Sequence, residues 1–287
     1  MAVCTISTYN AIKDLKVFLF SLDLFNDPKP KVYLLCDTKT AAEAKALYSG
    51  ELVILTKLDS YGDLDREKMA TRAGINYRTL WDDFMMEKAA VIELALSNEK
   101  SAYFCDSDIC FLGPLPYVPA NKTLAVSRHM IKDEMEQKFG IYNAGFLWTS
   151  DASVPNKWRQ AAKTSRYHDQ TALEDVVNAY VKSEIYEFPM QNNFGWWRMY
   201  YTNTHPAILQ KGWTIYINEP YKTAGIMVND AALLSIHTHF SEDVDWKCTY
   251  IFNKFFMEFL SRAAKNPKAK ILHAFIVSEF YKARAPV

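Results

Sequence analysis

Ser101-Ala102-Tyr103-Phe104-Cys105-Asp106-Ser107-Asp108-Ile109-Cys110-Phe111-Leu112-Gly113-Pro114 is an apolar run that ends abruptly in two carboxylates and a turn. Its first part, Ala102–Cys105, reads as a buried strand. In extended chain, residues i and i+2 project to the same side. Asp106 and Asp108 are therefore expected to aim at one hard cation. In open α/β sheets, ligands bind outside the carboxyl ends of the strands, which is where this pair falls. The tripeptide alone is a weak signal: eighteen aspartates in 287 residues make about one Asp-x-Asp by chance. The chain has three. Asp63-Leu64-Asp65 lies in a polar stretch and Asp243-Val244-Asp245 opens a helical pattern, so both read as solvated charge. Only the middle pair closes a buried strand.

The residues upstream give that strand its context. Ala2–Ser7, Lys31–Cys36 and Leu52–Leu55 are short apolar strands. Between them, Ile12–Leu24 carries Ile12, Leu15, Leu19 and Leu22 at helical spacing, and Thr40–Tyr48 reads as a helix stopped by Gly50. Asp59–Asn76 is polar and reads as a mobile surface loop. Arg78–Leu96 is a long helix with Leu80, Phe84, Ala90, Val91 and Leu94 available for an inner face. Strands alternating with helices of this length imply parallel pairing through right-handed crossovers, the half of a doubly wound sheet.

Downstream, the pattern loosens. Leu124–Ser127 and Tyr142–Thr149 read as strands, and Ser153–Lys163 as a helix with Ser153 as N-cap. His168–Val181 is a further helix, Gln191–Tyr201 an aromatic, amide-rich loop, and Leu233–Phe240 a strand. Asp243–Ala264 and Pro267–Arg284 are amphipathic helices. The second has an apolar stripe flanked by Lys268, Lys270, Lys282 and Arg284. Such a helix docks on a core or lies on an anionic membrane as a peripheral foot; docking is the expectation. No repeat or linker divides the chain. The expected organisation is one α/β domain over residues 1–265, a mixed sheet flanked by helices, with a C-terminal helical extension over 266–287 packed on it.

Composition narrows the function classes. Thirty-three basic residues balance thirty-three acidic ones, which argues against a nucleic-acid binder. Five scattered cysteines without a Cys-x-x-Cys give neither a disulfide framework nor a zinc cluster. No run is long enough for a transmembrane span and the first residues lack the pattern of a signal peptide, so the expectation is a cytoplasmic protein, with peripheral membrane contact as the alternative. Aromatic residues make up 14%, which suits a site that stacks rings or sugars as well as a large core.

A series of short segments, in order, resembles the GT-A glycosyltransferases, closest to the glycogenin-like group of retaining nucleotide-sugar transferases. The first strand and its hydroxylic end are Thr5-Ile6-Ser7-Thr8-Tyr9-Asn10, followed by Phe18–Leu22. The basic residue on the helix before the metal motif is Lys88. The strand-ending Asp-x-Asp is Asp106-Ser107-Asp108. The family's Phe-Asn-(Ser/Ala)-Gly is similar to Tyr142-Asn143-Ala144-Gly145-Phe146, its Asp-Gln to Asp169-Gln170, and its Leu-Pro element to Phe188-Pro189-Met190-Gln191-Asn192-Asn193. A strand-terminal histidine is matched by Ile236-His237-Thr238-His239-Phe240, with Lys247 eight residues on. The pieces span residues 2–250. The family's His is followed by glycine, lysine and Pro-Trp, whereas here Ser241–Lys247 is longer and has no glycine. The resemblance is thus to the fold and superfamily rather than to the subgroup.

That resemblance implies a metal-dependent transfer of a hexosyl or pentosyl group from a nucleoside-diphosphate donor, by family default a UDP-sugar, to a hydroxyl of a glycan, with retention. It implies metal ligands among Asp106, Asp108, His237 and His239, with one histidine ligating and the other structural. It implies donor contacts from Thr5, Ser7, Tyr9, Lys88, Asp106, Ser107, Asn143, Ala144, Gly145, Gln170 and Lys247, catalytic roles for Asp169 and Lys88, and acceptor contacts from Gln191, Asn192, Trp196 and Trp197. Carboxylates suit Mn²⁺ or Mg²⁺, and an imidazole ligand tilts the choice toward Mn²⁺.

Three other classes use parts of this pattern. Haloacid-dehalogenase-type phosphatases carry Asp-x-Asp near the first strand, with Thr or Val two residues later; here the motif lies past residue 100 and that position is Cys110. Nucleotidyltransferases show a Gly-rich N-terminal loop, which Ser7–Asn10 is not. A sugar-binding module without activity would explain the aromatics but not the ordered Lys, Asp-x-Asp, Asp-Gln and His series.

Overall fold

The computed structural model describes residues 2–218, 223–241 and 247–281. The chain forms two compact units. The first comprises residues 1–12, 29–107 and 117–188; the second comprises 13–28, 108–116 and 189–287.

The first unit is built on a seven-stranded sheet. In spatial order its strands are Leu52–Thr56, Lys31–Cys36, Ala2–Ser7, Ala102–Cys105, Tyr142–Thr149, Leu124–Arg128 and Ile185–Glu187. The first four run parallel, as the strand–helix alternation requires. Tyr142–Thr149 reverses direction and pairs antiparallel with both neighbours, so the sheet is mixed. Parallel strands covered by helices read as continuous apolar runs, and Ala2–Ser7 is buried along its whole length.

The helix Leu80–Leu96 packs on this sheet through Phe84, Ala89, Val91, Ile92 and Ala95. Its start is fixed by a capping box in which Thr79 and Asp82 satisfy each other's backbone N–H groups. Helices Val154–Ala162 and His168–Asn178 join the same core through Trp158, Ala172, Leu173 and Val176.

The polar stretch 59–76, expected as a loop, contains a short helix and several local hydrogen bonds. Its charges act as local acceptors. Asp65 accepts from Lys68 N (2.8 Å) and caps a short helix, Arg66–Ala70. Asp83 accepts from the backbone N–H groups of Ile75, Asn76 and Tyr77. Ser153 precedes its helix but caps nothing; its hydroxyl donates to Asp151.

The second unit holds two small sheets. Trp213–Asn218, Thr223–Val228 and Ala231–Ala232 form an antiparallel meander. In the other, Ser235–His237 lies between Ile109–Phe111, antiparallel, and Phe194–Gly195, parallel. The strand expected over 233–240 is thus only three residues long, because the chain turns at His239 with φ +49°. The described part of the helix expected over 243–264 is Cys248–Arg262, and residues 242–246, with Asp243 and Asp245, lie outside the described residues.

The helix Pro267–Ile276, capped by Asn266, continues as a π-helical turn over Val277–Tyr281. Lys282 and Arg284 lie outside the described residues. Ala269, Leu272 and Ile276 are buried in one core with Phe252, Phe256 and Leu260. Phe275 stacks on Phe20 at 4.0 Å. Leu272, Phe275 and Ile276 of the apolar stripe thus pack inward, whereas Ile271 is 49% exposed. Leu272→Ala is expected to cost about 2–5 kcal/mol, as for other fully buried leucines; urea unfolding of the variant against the parent checks this.

Candidate active site

Among the described residues, the chemistry-bearing side chains expected from the sequence gather in two clusters, one in each unit. In the first unit the cluster is centred on Lys88. The helix Leu80–Leu96 buries this lysine to 3% exposure. Its ammonium contacts Asp106 Oδ1 and Asp169 Oδ2, both at 2.9 Å. Burial disfavours the charged lysine, but the two carboxylates outweigh burial and raise its pKa above the usual lysine value. The lysine is a cation at every physiological pH.

The surroundings hold these carboxylates by backbone contacts. Asp106 N donates to Gly145 O at 2.8 Å. Trp158 Nε1 donates to the carbonyl of Asp169 at 2.8 Å, which fixes the first turn of His168–Asn178. Asn143 Oδ1 accepts from Gly145 N at 3.0 Å, and its amide nitrogen reaches Gln170 Oε1 at 3.4 Å. Asn143, Gly145 and Gln170 thus form one connected group with Asp106. Ala144 is buried in the core.

Thr5 and Ser7 are buried at the end of the first strand. Tyr9 is 39% exposed; its N–H donates to Asp37 Oδ2 at 2.6 Å and its hydroxyl to Glu43. Asp37 also caps the helix Thr38–Ala44.

The second unit's cluster is centred on Asp108. His237 Nε2 lies 2.7 Å from Asp108 Oδ1, and His239 Nδ1 lies 2.8 Å from Oδ2. The two imidazoles stack at 4.7 Å and 17°. Local structure explains this convergence. His237 ends a strand paired to Ile109, and Thr238 donates both N–H and Oγ–H to the carbonyl of Asp108 at 2.9 Å. The left-handed backbone at His239 then turns its ring back beside His237. Burial opposes the charge on Asp108, but the two imidazoles outweigh it and hold the carboxyl well below the usual range.

The ligand atoms of Asp108, His237 and His239 all lie within 4.8 Å of one another. One carboxylate and two imidazoles at this spacing fit a divalent transition ion. Both histidines face the carboxylate, where one ligand and one structural residue were expected.

The extended-chain argument for the Asp-x-Asp motif does not apply, because the strand ends at Cys105 and Ser107–Asp108 form a turn. The two carboxylates serve different partners: Asp106 goes to Lys88, and Asp108 to the histidines.

The remaining expected residues lie in the second unit. Gln191 is buried and donates to Val228 O at 2.8 Å, and Asn192 is buried with its carbonyl accepting from Ser235 Oγ. Trp197 is buried and meets His237 edge-on at 5.2 Å. A Cβ on Gly195 would come within 2.2 Å of the Trp197 ring, so glycine is what lets the indole approach. Trp196 is partly exposed and contacts Tyr201 at 4.9 Å. Lys247 stands just before the helix Cys248–Arg262.

Two features escaped sequence reading. Asp14 is buried, and its pKa is pushed up to about 7 by burial and by the charge of Asp108, less what Ser241 and His239 give back. His168 pairs with Asp82. The first had no signal beyond a helical aspartate; the second was visible only as a histidine before Asp169-Gln170.

No family model matches the chain, and no curated protein matches it. Among solved structures it is similar to the galactosyltransferase LgtC in complex with donor and acceptor sugar analogues: TM-score 0.52, 14% identity, 92% of this chain and 96% of that one covered. It is also similar to the apo form of mouse xyloside xylosyltransferase 1: TM-score 0.52, 12% identity, 85% and 100% covered. The chain has the GT-A fold.

Removing the shared cation tests the first cluster. Lys88→Met leaves Asp169 buried without a counter-charge, which costs about 3–5 kcal/mol. An orphaned carboxylate is costly only while ionised, so the deficit relative to the parent is expected to shrink as pH falls from 7 to 4. Denaturant midpoints of both proteins at the two pH values measure it; equal deficits at both would contradict the ion-pair account.

Proposed function

We propose that the protein is a metal-dependent glycosyltransferase that moves a sugar from a nucleoside-diphosphate donor, a UDP-sugar, to a hydroxyl of a carbohydrate acceptor. The observation that carries this reading is the Asp108–His237–His239 ligand set on the GT-A fold. Two imidazoles beside one carboxylate favour Mn²⁺ over Mg²⁺, which prefers oxygen ligands. When bound, the ion supplies charge neutralisation for the departing diphosphate.

The chain's own residues divide the remaining work. Asp108, His237 and His239 hold the ion. Lys88 orients Asp106 and Asp169 through its two ion pairs. Asp169 and Gln170 take hydroxyls of the donor sugar, together with Asn143 and the backbone at Ala144 and Gly145. Thr5, Ser7, Tyr9 and Ser107 bind the nucleotide part and Lys247 the phosphate. Gln191, Asn192, Trp196 and Trp197 are assigned to the acceptor side. The two similar structures carry names for a hexosyl and a pentosyl transfer, so either sugar size is compatible with the fold. No helix among the described residues is long and apolar enough to cross a membrane, and we assign the protein to the cytoplasm.

A thermal-shift panel of UDP, GDP, CDP and dTDP, each with and without Mn²⁺, tests the reading. UDP is expected to raise the melting temperature only with Mn²⁺; at 100 Kd the stabilisation is about 2.7 kcal/mol. Asp108→Asn is expected to fold and to lose the Mn²⁺-dependent part. A shift by UDP that survives EDTA counts against the metal, and no nucleotide shift at all leaves a sugar-binding module.

Stereochemistry is a separate question. An inverting transferase needs a carboxylate base at the acceptor hydroxyl. Asp169, the candidate, is committed to Lys88 at 2.9 Å, which favours retention. The anomeric proton of the first-formed product, read by NMR, decides: inversion relative to the donor would restore Asp169 as base.

A further inference from the structure

His129 is a buried titratable side chain that neither cluster uses. It is 4% exposed and directly follows the strand Leu124–Arg128. Its backbone N–H donates to the carbonyl of Ile141 at 2.7 Å. Its ring joins two groups: Nδ1 lies 2.7 Å from the carbonyl of Gly140, and Nε2 lies 3.4 Å from the side-chain nitrogen of Asn143.

The polarity of these contacts follows from the chemistry of their ends. A carbonyl only accepts, so Nδ1 carries the proton and donates to Gly140. In a neutral ring Nε2 is then bare and accepts, which calls for the NH2 of Asn143 on that side. A second constraint comes from the opposite end of the same amide. The N–H of Gly145 only donates, so the Asn143 atom facing it at 3.0 Å is Oδ1. Both constraints select one orientation of Asn143. Its NH2 also reaches Gln170 Oε1 at 3.4 Å, and Gln170 Nε2 in turn donates to the carbonyl of Phe139 at 3.3 Å.

Phe139 and Gly140 close the helix Asp133–Phe139, and the last carbonyls of a helix have no partner within it. Two such carbonyls therefore set the direction of both amides, one through the imidazole and one directly. The backbone at this corner is specific: Gly140 has φ +100°, and a Cβ there would lie 3.3 Å from Thr171 and 3.4 Å from Gln170.

We propose that His129 is a positioning residue of the transfer site: held by Gly140 as the neutral Nδ1–H tautomer, it fixes the Asn143 amide, and with it the connection between Gly145, Asp106 and Gln170. The inference rests on the transferase reading and adds to it a residue that acts through Asn143. A ring with a proton on Nε2 would set donor against donor at Asn143. A ring without nitrogens would leave the buried NH2 of Asn143 one acceptor short.

NMR of the full chain labelled with 15N-histidine reads the tautomer directly. The His129 signal is the one absent from His129→Gln. A proton on Nδ1 and none on Nε2 is expected; a proton on Nε2, in a neutral or a charged ring, overturns the proposal. The tautomer is read on the parent, so it decides even where a variant does not fold. The second readout is calorimetric: the ratio of affinity for a UDP-sugar to affinity for UDP, both with Mn²⁺. The sugar is whichever of UDP-glucose, UDP-galactose, UDP-xylose and UDP-N-acetylglucosamine binds the parent most tightly. His129→Phe keeps a ring and removes both nitrogens, and the ratio is expected to fall about threefold to tenfold, as for one lost hydrogen bond. His129→Gln, whose side-chain carbonyl can replace Nε2 as acceptor, is expected to recover part of the ratio. A merely structural role would lower the melting temperature and leave the ratio unmoved. An unchanged ratio in folded His129→Phe thus overturns the positioning role while the transferase reading stands. If the parent does not bind UDP with Mn²⁺, the UDP-sugar reading itself fails, and the role of His129 in transfer fails with it.

Discussion

A single buried ammonium organises the first unit. Lys88 sits on the sheet-facing side of its helix, where a lone charge would be costly, and meets one carboxylate at a strand end and another on the first turn of a helix. Each of the three groups is tolerable only because the others are present. The helix Leu80–Leu96, the end of Ala102–Cys105 and the start of His168–Asn178 are therefore fixed to one another by charge as well as by the apolar core. Asn143, Gly145 and Gln170 are attached to this arrangement through hydrogen bonds, so their positions are tied to the lysine's.

The second cluster depends on a different constraint, the turn at Ser107–Asp108. Had the strand continued, both aspartates would have faced one way. The chain turns after Cys105 instead, and Ile109–Phe111 enters another sheet beside Ser235–His237. That pairing brings His237 to Asp108, and the left-handed residue His239 adds the second imidazole. One motif thus supplies a carboxylate to each cluster, with Ser107 alone between them in sequence.

Most of the first unit was legible because its information is local. Ala2–Ser7, Lys31–Cys36 and Ala102–Cys105 are apolar runs whose bounds are visible in the sequence, and the helix containing Lys88 has both period and cap. The chemistry-bearing residues were legible as types: Lys88, Asp106, Asp108, Asp169 and the two histidines all lie in the two clusters. Their partners were not. The pairing of Asp106 with Lys88 and of Asp108 with two imidazoles is decided by a turn and by strand pairing across more than a hundred residues, which no local period records. The same holds for Ile109–Phe111 and Phe194–Gly195, strands too short to show alternation. The short helix within 59–76 was not legible for another reason: charged residues that cap and tie backbone look, in sequence, like charged residues that face solvent. Asp65 and Asp83 are of the first kind.

The charge balance of the two clusters bears on their division of labour. With its lysine charged, the first carries one positive and two negative charges, a net excess of one negative. The second sets one carboxylate, Asp108, against two imidazoles. A divalent ion held by Asp108, His237 and His239 would make the second cluster positive, whereas the first keeps two carboxylates against one ammonium. A difference in sign between the clusters would then need no excess of basic residues, in keeping with a sequence whose acidic and basic residues are equal in number.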